Sequence, residues 1–339
     1  MRRSFALAAC AAAATGLAAC GSSSDSDSTT SSSSGSATAA AAAPSKSFTF
    51  GYSEATGQNP WMTAIGTAAQ KVTAPAGGKA DVTDAQLDPA KAVQQVTRFM
   101  TDGVNSIAVA PAQVPAAVTG VLTKAHNQGI HIFGLEWSYA ADETAAPAAP
   151  LDGQVLVDRG QLGKDVAAAI NEDQPNGAKV LYIGLPFPVV GVDFFEKNFK
   201  ASLGKSKLLA NLDNPKDNAQ GALGPLNGAL SAHPETTAIV TYNGPSALAA
   251  IQAIKTAGLT DKVKIYNIQL DTATAAALKA GKIAAAWDLN PPELGTALGQ
   301  MITAAGQDKP KSEWAKSVVI KAPKYTTDNI AGWTDWANG

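Results

Sequence analysis

A recurring order of apolar runs, amphipathic stretches and glycines constrains the fold of this chain more than any other feature. In one example, Val93, Val96 and Met100 form a helical stripe, and Gly103 follows it just before the apolar run Ser106–Ala110. Glycine just past a helix adopts the left-handed conformation at no steric cost, so it marks the helix end. A strand, a helix, a glycine and another strand in succession are typical of right-handed βαβ units with a parallel sheet.

Strand-like apolar runs recur from residue 48 to residue 321. Besides Ser106–Ala110, we predict strands at residues 48–53, 80–84, 130–135, 155–158, 179–184, 237–242, 263–268, 282–287 and 318–321. About ten strands in all are too many for one ordinary open sheet. The predicted fold class is therefore α/β, with two Rossmann-like lobes that each contain a parallel-type sheet.

The first 45 residues differ in composition from the rest of the chain. Arg2 and Arg3 precede the uncharged apolar run 5–19, which is typical of a secretory signal and short for a membrane span of about 20 residues. The letters LAAC, ending at Cys20, are followed by Gly21 and resemble the bacterial lipobox, in which the cysteine sulfur is acylated. The alternative is an ordinary cleaved signal that happens to contain a cysteine.

Residues 21–44 consist of small and polar residues, mainly Ser, Ala, Thr and Asp, with no large apolar side chain. Such a segment buries too little surface to offset the entropy of ordering, so we predict a flexible tether. Several acyl chains on Cys20 would attach the protein stably to a membrane.

Cysteine, charge and motif content disfavour several classes of function. Cys10 and Cys20 fall in the signal and at the lipidation site, so we expect neither a disulfide nor a thiol site. A net charge of -2 disfavours a nucleic-acid partner. None of the three histidines belongs to an HExxH motif, and no GxSxG, GxGxxG or phosphate-binding loop motif is present. We therefore predict no catalysis, no cofactor and no metal site.

Helix starts indicate where a ligand would bind. Asn59-Pro60, Asp88-Pro89 and Asp271-Thr272 each resemble an N-cap followed by the first turn of a helix. In open α/β sheets such turns lie at the carboxyl ends of the strands, where small molecules bind. Two lobes would place two of these edges face to face and form a cleft.

Four segments carry a resemblance to a known family. They are GQNPWM (57–62), LDPAKAVQQV (87–96), the stretch 230–258 that begins LSAHPETT, and KAGKIAAAWDLNPPELG (279–295). In their order and spacing they resemble the ribose- and galactose-type periplasmic solute-binding proteins, from residue 48 to about residue 320. The resemblance implies two lobes joined by a three-stranded hinge, a solute in the cleft, and an ABC importer permease that receives it.

The resemblance divides the chain into four parts. They are residues 1–19, the lipoprotein signal peptide; 20–45, the lipidated cysteine and tether; 46–156 with 289–318, the N-terminal lobe; and 157–288 with 319–339, the C-terminal lobe. We expect a monomer held by its lipid at the extracytoplasmic side of the cell membrane.

The resemblance also places ligand contacts in the first lobe. Asn59 and Trp61 match positions that hydrogen-bond to a sugar and stack on it, with a helix cap and a core residue as the respective alternatives. Glu136 and Trp137 stand where sugar-binding relatives often carry Asp-Arg, so an indole replaces a guanidinium.

Further candidates lie at the hinge and in the second lobe. Asp158 and Arg159 fall at the first hinge crossing, and a helix cap is the alternative role for Asp158. The other expected ligand contacts are Phe187, Asp193, Asn243, Gln269, Asp271, Asp288 and Asn290.

This set of side chains disfavours an anionic ligand, because two arginines of the relatives are missing. It favours a neutral sugar or polyol, and a cationic amine in an aromatic box or a nucleoside is the alternative. We expect the solute to bridge both lobes and stabilise a closed state. A lipoprotein that presents its solute to a membrane receptor would have the same sequence features.

Overall fold

The computed structural model describes residues 46–110, 116–137, 147–187 and 189–336. The predicted signal peptide, Cys20 and the tether lie outside these residues. Within the described ranges, every helix is too short or too polar to cross a lipid bilayer.

Strands and helices alternate along the described chain, as the glycine pattern predicts. The strands are β1 (Phe48–Glu54), β2 (Gly78–Asp84), β3 (Ser106–Ala110), β4 (His131–Leu135), β5 (Gly153–Val157), β6 (Lys179–Gly184), β7 (Lys207–Asp213), β8 (Ala238–Thr241), β9 (Lys264–Asn267), β10 (Ala285–Trp287), β11 (Ser317–Ile320) and β12 (Lys324–Tyr325). The helices are α1 (Pro60–Thr73), α2 (Pro89–Thr101), α3 (Ala116–Asn127), α4 (Arg159–Asp173), α5 (Val190–Ser202), α6 (Ala219–Ala232), α7 (Gly244–Thr256), α8 (Thr272–Lys279), α9 (Pro291–Gly306) and α10 (Lys311–Trp314).

The strands form two six-stranded sheets. The sheet of the N-terminal lobe has the order β11-β5-β4-β3-β1-β2, and the sheet of the C-terminal lobe has the order β12-β10-β9-β8-β6-β7. All neighbours are parallel except β12, which runs antiparallel to β10. The expected α/β fold with two lobes is confirmed.

The chain passes between the lobes three times. After β5 it enters α4, which packs on α5 so closely that a Cβ on Gly163 would lie 2.6 Å from the Phe195 carbonyl oxygen. After β10 it returns to α9, where a Cβ on Gly295 would lie 2.2 Å from the Ile65 carbonyl oxygen of α1. The third passage joins β11 to β12.

Two strands were not predicted, and others differ in length. β7 is an edge strand whose residues are exposed or half-buried, so it lacks the apolar run of a central strand. β12 has only two residues. β10 begins three residues later than predicted, at Ala285. β5 and β11 end at Val157 and Ile320, just beyond the lobe boundaries that we placed after residues 156 and 318.

Candidate functional site

A cavity of about 80 Å³ lies where the carboxyl ends of the strands of both lobes meet. Its lining comprises Thr56, Asn59, Trp61, Met62, Leu87, Ala110, Leu135, Glu136, Arg159, Leu185, Phe187, Val189, Val192, Asp217, Tyr242, Gln269 and Leu289. Six of the predicted contacts are therefore brought together here: Asn59, Trp61, Glu136, Arg159, Phe187 and Gln269.

Asn59 and Trp61 begin helix α1 at the end of β1. The Asn59 Oδ1 atom accepts a hydrogen bond from the Trp61 backbone N–H at 3.0 Å, so Asn59 is a helix cap as well as a cavity residue. Gln269 Nε2, from the other lobe, lies 3.5 Å from the same oxygen. The Trp61 side chain is 5% exposed, and its indole N–H has no acceptor among the described residues. Trp61 therefore lines the cavity and also packs in the core, and its contact with a ligand stays a prediction.

Glu136 and Arg159 form an ion pair between the lobes. The Arg159 Nε and Nη2 atoms donate to Glu136 Oε1 and Oε2 at 2.7 and 2.9 Å, in a bidentate arrangement. Glu136 follows β4, Arg159 begins α4, and both side chains are nearly buried. Because the fork geometry satisfies both oxygens at once, the two charges largely neutralise each other within the cavity wall.

Asp217 is a cavity residue that the sequence analysis missed. It lies between β7 and α6 with a φ of 50°. Tyr242 Oη and Asn243 Nδ2 both donate to its Oδ1 atom, the latter at 2.6 Å. Burial raises the pKa of the Asp217 carboxyl above its ordinary value, and these two hydrogen bonds offset part of that rise.

A sequence signal for Asp217 exists in retrospect. The stretch NPKDN (214–218) is a turn-type sequence at the end of β7, and helix α6 follows it. Because β7 was not recognised, this loop was not identified as part of the ligand-facing edge of the sheet.

Several predicted contacts take part in the framework and do not line this cavity. Trp137 is buried in a core cluster of the N-terminal lobe that also contains Leu151. Asp158 caps α4 by accepting from the Gln161 backbone N–H at 2.9 Å. Asp271 caps α8 in a reciprocal arrangement with Thr274.

Asp193 and Asn243 also lie away from the lining. Asp193 is exposed in the first turn of α5. Asn243 is buried and caps α7, while its amide nitrogen holds Asp217 as described above. Its influence on a ligand is thus through the carboxylate that it positions.

Asp288 and Asn290 line a separate groove of about 890 Å³, beside the second passage between the lobes. The Asn290 backbone N–H donates to Asp288 Oδ1 at 2.8 Å, and the Trp333 indole donates to Oδ2 at 2.8 Å. Burial raises the pKa of Asp288, and these hydrogen bonds oppose the rise. Trp333 and the buried Trp336 thereby attach the C-terminal segment to the body of the protein.

The unpredicted part of the lining is mostly apolar. The apolar residues of the lining that the sequence did not predict are Met62, Leu87, Ala110, Leu135, Leu185, Val189, Val192 and Leu289. An apolar residue near the end of a strand has the same sequence signature whether it faces a cavity or the core. Among the described residues, no group of three or more His, Cys, Asp or Glu side chains is arranged to hold a metal ion.

Comparisons with known proteins agree with this architecture. A family model described as the periplasmic binding protein domain matches residues 50–310. The ribose import binding protein RbsB of Bacillus subtilis is 25% identical over 262 residues, which are 77% of this chain and 81% of the relative. RbsB of Escherichia coli is 26% identical over 243 residues, 71% of this chain and 79% of the relative.

Solved structures share the fold over nearly the whole described chain. An ABC transporter solute-binding protein from Burkholderia graminis in complex with D-arabinose has a TM-score of 0.77 at 17% identity, covering 86% of this chain and 99% of that one. A Caulobacter myo-inositol binding protein bound to myo-inositol has a TM-score of 0.74 at 21% identity, covering 85% and 96%. Since the family model spans most of the sequence, the chain belongs to the periplasmic binding protein domain family.

Proposed function

We propose that this protein captures a small, neutral, polyhydroxylated solute, a sugar or polyol, between its lobes and delivers it to an ABC importer. The observation that carries the proposal is the cavity itself, because both lobes contribute polar groups to it. Relatives of the chain are ribose import proteins, and neighbours in fold hold D-arabinose and myo-inositol.

The charges around the cavity support a neutral solute. Arg159 is engaged by Glu136 in a bidentate pair, so its charge is already balanced. Asp217 adds a carboxylate whose two side-chain donors, Tyr242 and Asn243, are neutral, and it would repel an anion. Hydroxyl groups of a sugar can donate to that carboxylate and to the Asn59 and Gln269 amide oxygens, at about 0.5–1.5 kcal/mol net for each neutral hydrogen bond.

Hinge closure is part of the proposal. The chain passes between the lobes three times, and Asn59 and Gln269 approach each other across the cleft. A solute that contacts both lobes binds the closed state better than the open state and shifts the population toward it. The closed lobes would then present the surface that the importer recognises.

The proposal also covers the location of the protein in the cell. We place the protein outside the cytoplasm as a monomer, anchored through acyl chains on Cys20 and separated from the membrane by the tether to residue 45. The lobe boundaries at residues 156–157, 288–289 and 318–319 belong to this proposal. Mass spectrometry of the protein purified from its cell membrane would identify the acylated cysteine, and an unmodified Cys20 would contradict the anchor.

One observation favours a second candidate, a cationic amine. Asp217 lies in a lining that also holds the aromatic rings of Trp61, Phe187 and Tyr242. A carboxylate beside aromatic faces suits an ammonium group as well as it suits hydroxyl groups. If the partner were a membrane receptor in place of the importer, the solute site would be the same. Only the protein to which the bound solute is presented would differ.

A thermal-shift screen of the purified protein tests the function. The panel contains neutral sugars, polyols, amines, nucleosides and sugar phosphates. A ligand at about 100 times its Kd adds roughly 2.7 kcal/mol to the free energy of unfolding, which raises Tm by about 4 °C for a chain of this size. A shift by a neutral sugar or polyol supports the proposal, whereas a shift confined to amines or to sugar phosphates contradicts it.

A further inference from the structure

From the distribution of side chains around the cavity we infer that its solute is a deoxy sugar, in which a methyl group replaces a hydroxymethyl group. The inference rests on the proposed function and narrows it. It concerns one wall of the cavity, which we call the apolar wall and define as Leu185, Phe187, Val189 and Val192.

The apolar wall comes from one continuous segment between β6 and the first turn of α5. Each of its four cavity-lining side chains is a hydrocarbon, and Val192 is buried. Asp193, which follows Val192 in the sequence, is exposed on α5 and does not line the cavity. From the N-terminal lobe, Met62 and Leu87 add further hydrocarbon to the lining; Leu289 adds more from the hinge.

The polar groups of the cavity lie on other elements. Three sets of them are held by hydrogen bonds or an ion pair: Asn59 with Gln269, Glu136 with Arg159, and Asp217 with Tyr242 and, from outside the lining, Asn243. These sets come from the ends of β1, β4, β7, β8 and β9 and from the start of α4. Thr56 and the indole N–H of Trp61 are further polar groups of lining residues, after β1 and at the start of α1. A solute in contact with the apolar wall therefore meets hydrocarbon side chains there, and it meets hydrogen-bonding side chains from the other elements that line the cavity.

A fully hydroxylated sugar fits this arrangement poorly. A hydroxyl group pressed against the side chains of the apolar wall loses its hydrogen bonds to water and gains none from those side chains. A methyl group in the same place is removed from water favourably. Because hydrophobic pockets reject an added hydroxyl by at most about 100-fold, we expect a preference of about 10- to 100-fold for the deoxy sugar.

Isothermal titration calorimetry with matched sugar pairs tests the inference. The pairs are L-rhamnose with L-mannose, L-fucose with L-galactose, and 6-deoxy-D-glucose with D-glucose, each differing in one hydroxyl. We expect at least one deoxy sugar to bind about 10-fold or more tightly than its partner. If the tightest ligand is fully hydroxylated, or if paired sugars bind equally, the inference is wrong and the proposed function stands. If no sugar binds while an amine does, the proposed function fails with it.

A substitution in the apolar wall tests whether the wall itself produces the preference for deoxy sugars. Val192→Thr keeps the shape of the side chain and replaces one methyl group with a hydroxyl, so the preference for the deoxy partner should fall several-fold. Val82→Thr is the matched control, since Val82 lies on β2, is 40% exposed and is not part of the lining. An unchanged preference in Val192→Thr, with Val82→Thr also unchanged, would overturn the role of the wall.

Discussion

At the scale of single residues, Asp217 has the arrangement expected of a ligand acceptor. Two neighbours donate to its Oδ1 atom, and no donor among the described residues reaches Oδ2. The carboxylate is thus held in place from one side while its second oxygen remains available to a solute in the cavity that it lines.

Replacing Asp217 by Asn should weaken solute binding by about 10- to 100-fold, because a hydrogen bond to a charged group contributes about 1.5–3 kcal/mol. Calorimetric titration with the solute identified by thermal shift measures the loss. Asp193→Asn, an exposed carboxylate outside the cavity, is the control and should bind normally. Equal affinities of the two variants would exclude Asp217 as a contact.

The same carboxyl should make binding depend on pH. A solute hydroxyl donates to the ionised form, and burial raises the pKa of Asp217 above the ordinary value of about 3.9. Affinity should therefore decline as the pH falls through this raised pKa, at a higher pH than an ordinary aspartate would give. In Asp217→Asn the decline should disappear, and its persistence would assign the titration to another group.

Substitutions of Glu136 and Arg159 should have strongly coupled effects on the free energy of unfolding. Removing one partner deprives the other buried charge of its bidentate contact, and breaking a buried ion pair costs about 3–5 kcal/mol. We expect Glu136→Gln and Arg159→Gln each to lower the free energy of unfolding markedly in urea titrations, and the double variant to lose less than the sum. Additive losses would mean that the bidentate contact contributes little.

At the scale of elements, close packing between helices sets which glycines are required. A Cβ on Gly295 of α9 would lie 2.2 Å from a carbonyl oxygen of α1, whereas a Cβ on Gly228 of α6 would meet no atom within 4 Å. Gly295→Ala should therefore destabilise the protein by about 1–3 kcal/mol through overpacking. Gly228→Ala should be neutral or stabilising by up to about 1 kcal/mol, since alanine favours helix. Urea unfolding that ranked the two variants the other way would contradict the α1–α9 packing.

Helix starts were more predictable than strand edges. Asn59, Asp88 and Asp271 precede helices in the sequence, and each caps the expected helix in the structure. Capping is a local interaction within about three residues, so the sequence alone specifies it. β7 depends on pairing with β6, a contact between segments nearly 30 residues apart, and its alternating edge pattern is weak.

At the scale of the whole molecule, a buried carboxylate links distant parts of the N-terminal lobe. Asp152 accepts from the Ile132 backbone N–H at 3.0 Å and from Lys311 Nζ of α10 at 2.8 Å, and His131 Nδ1 lies 3.5 Å away. Burial acts to raise the pKa of Asp152, but these partners together hold it well below its ordinary value.

Stability should therefore depend on Asp152 at neutral but not at very low pH. Because the folded pKa is depressed, the contribution is fully present above the unfolded value of about 3.9 and is lost as the pH falls through the folded pKa. Urea unfolding should show Asp152→Asn less stable than the parent by about 1.5–3 kcal/mol at pH 7. The difference in unfolding free energy between the two proteins should narrow below pH 4. A difference that does not depend on pH would contradict an ionic origin of the stabilisation by Asp152.

The two-lobed architecture was predictable from the sequence, but the detailed site was not. The order of strand, helix and glycine is a local pattern, and the lobes follow from the number of strands. By contrast, Trp137 has the sequence neighbourhood of a ligand contact and lies in the core. Arg159 reaches Glu136 only because the first passage between the lobes places the start of α4 beside the residue that follows β4. Such placements depend on how segments far apart in the sequence pack together. Local sequence patterns do not encode this packing.

Small-angle X-ray scattering of the purified protein, with and without saturating solute, tests most directly whether the lobes close on what they bind. If the lobes close on the solute, it should lower the radius of gyration of the parent protein. At the same solute concentration the radius of gyration of Asp217→Asn should change little. A radius of gyration that stays constant while calorimetry shows the solute bound would contradict capture by closure.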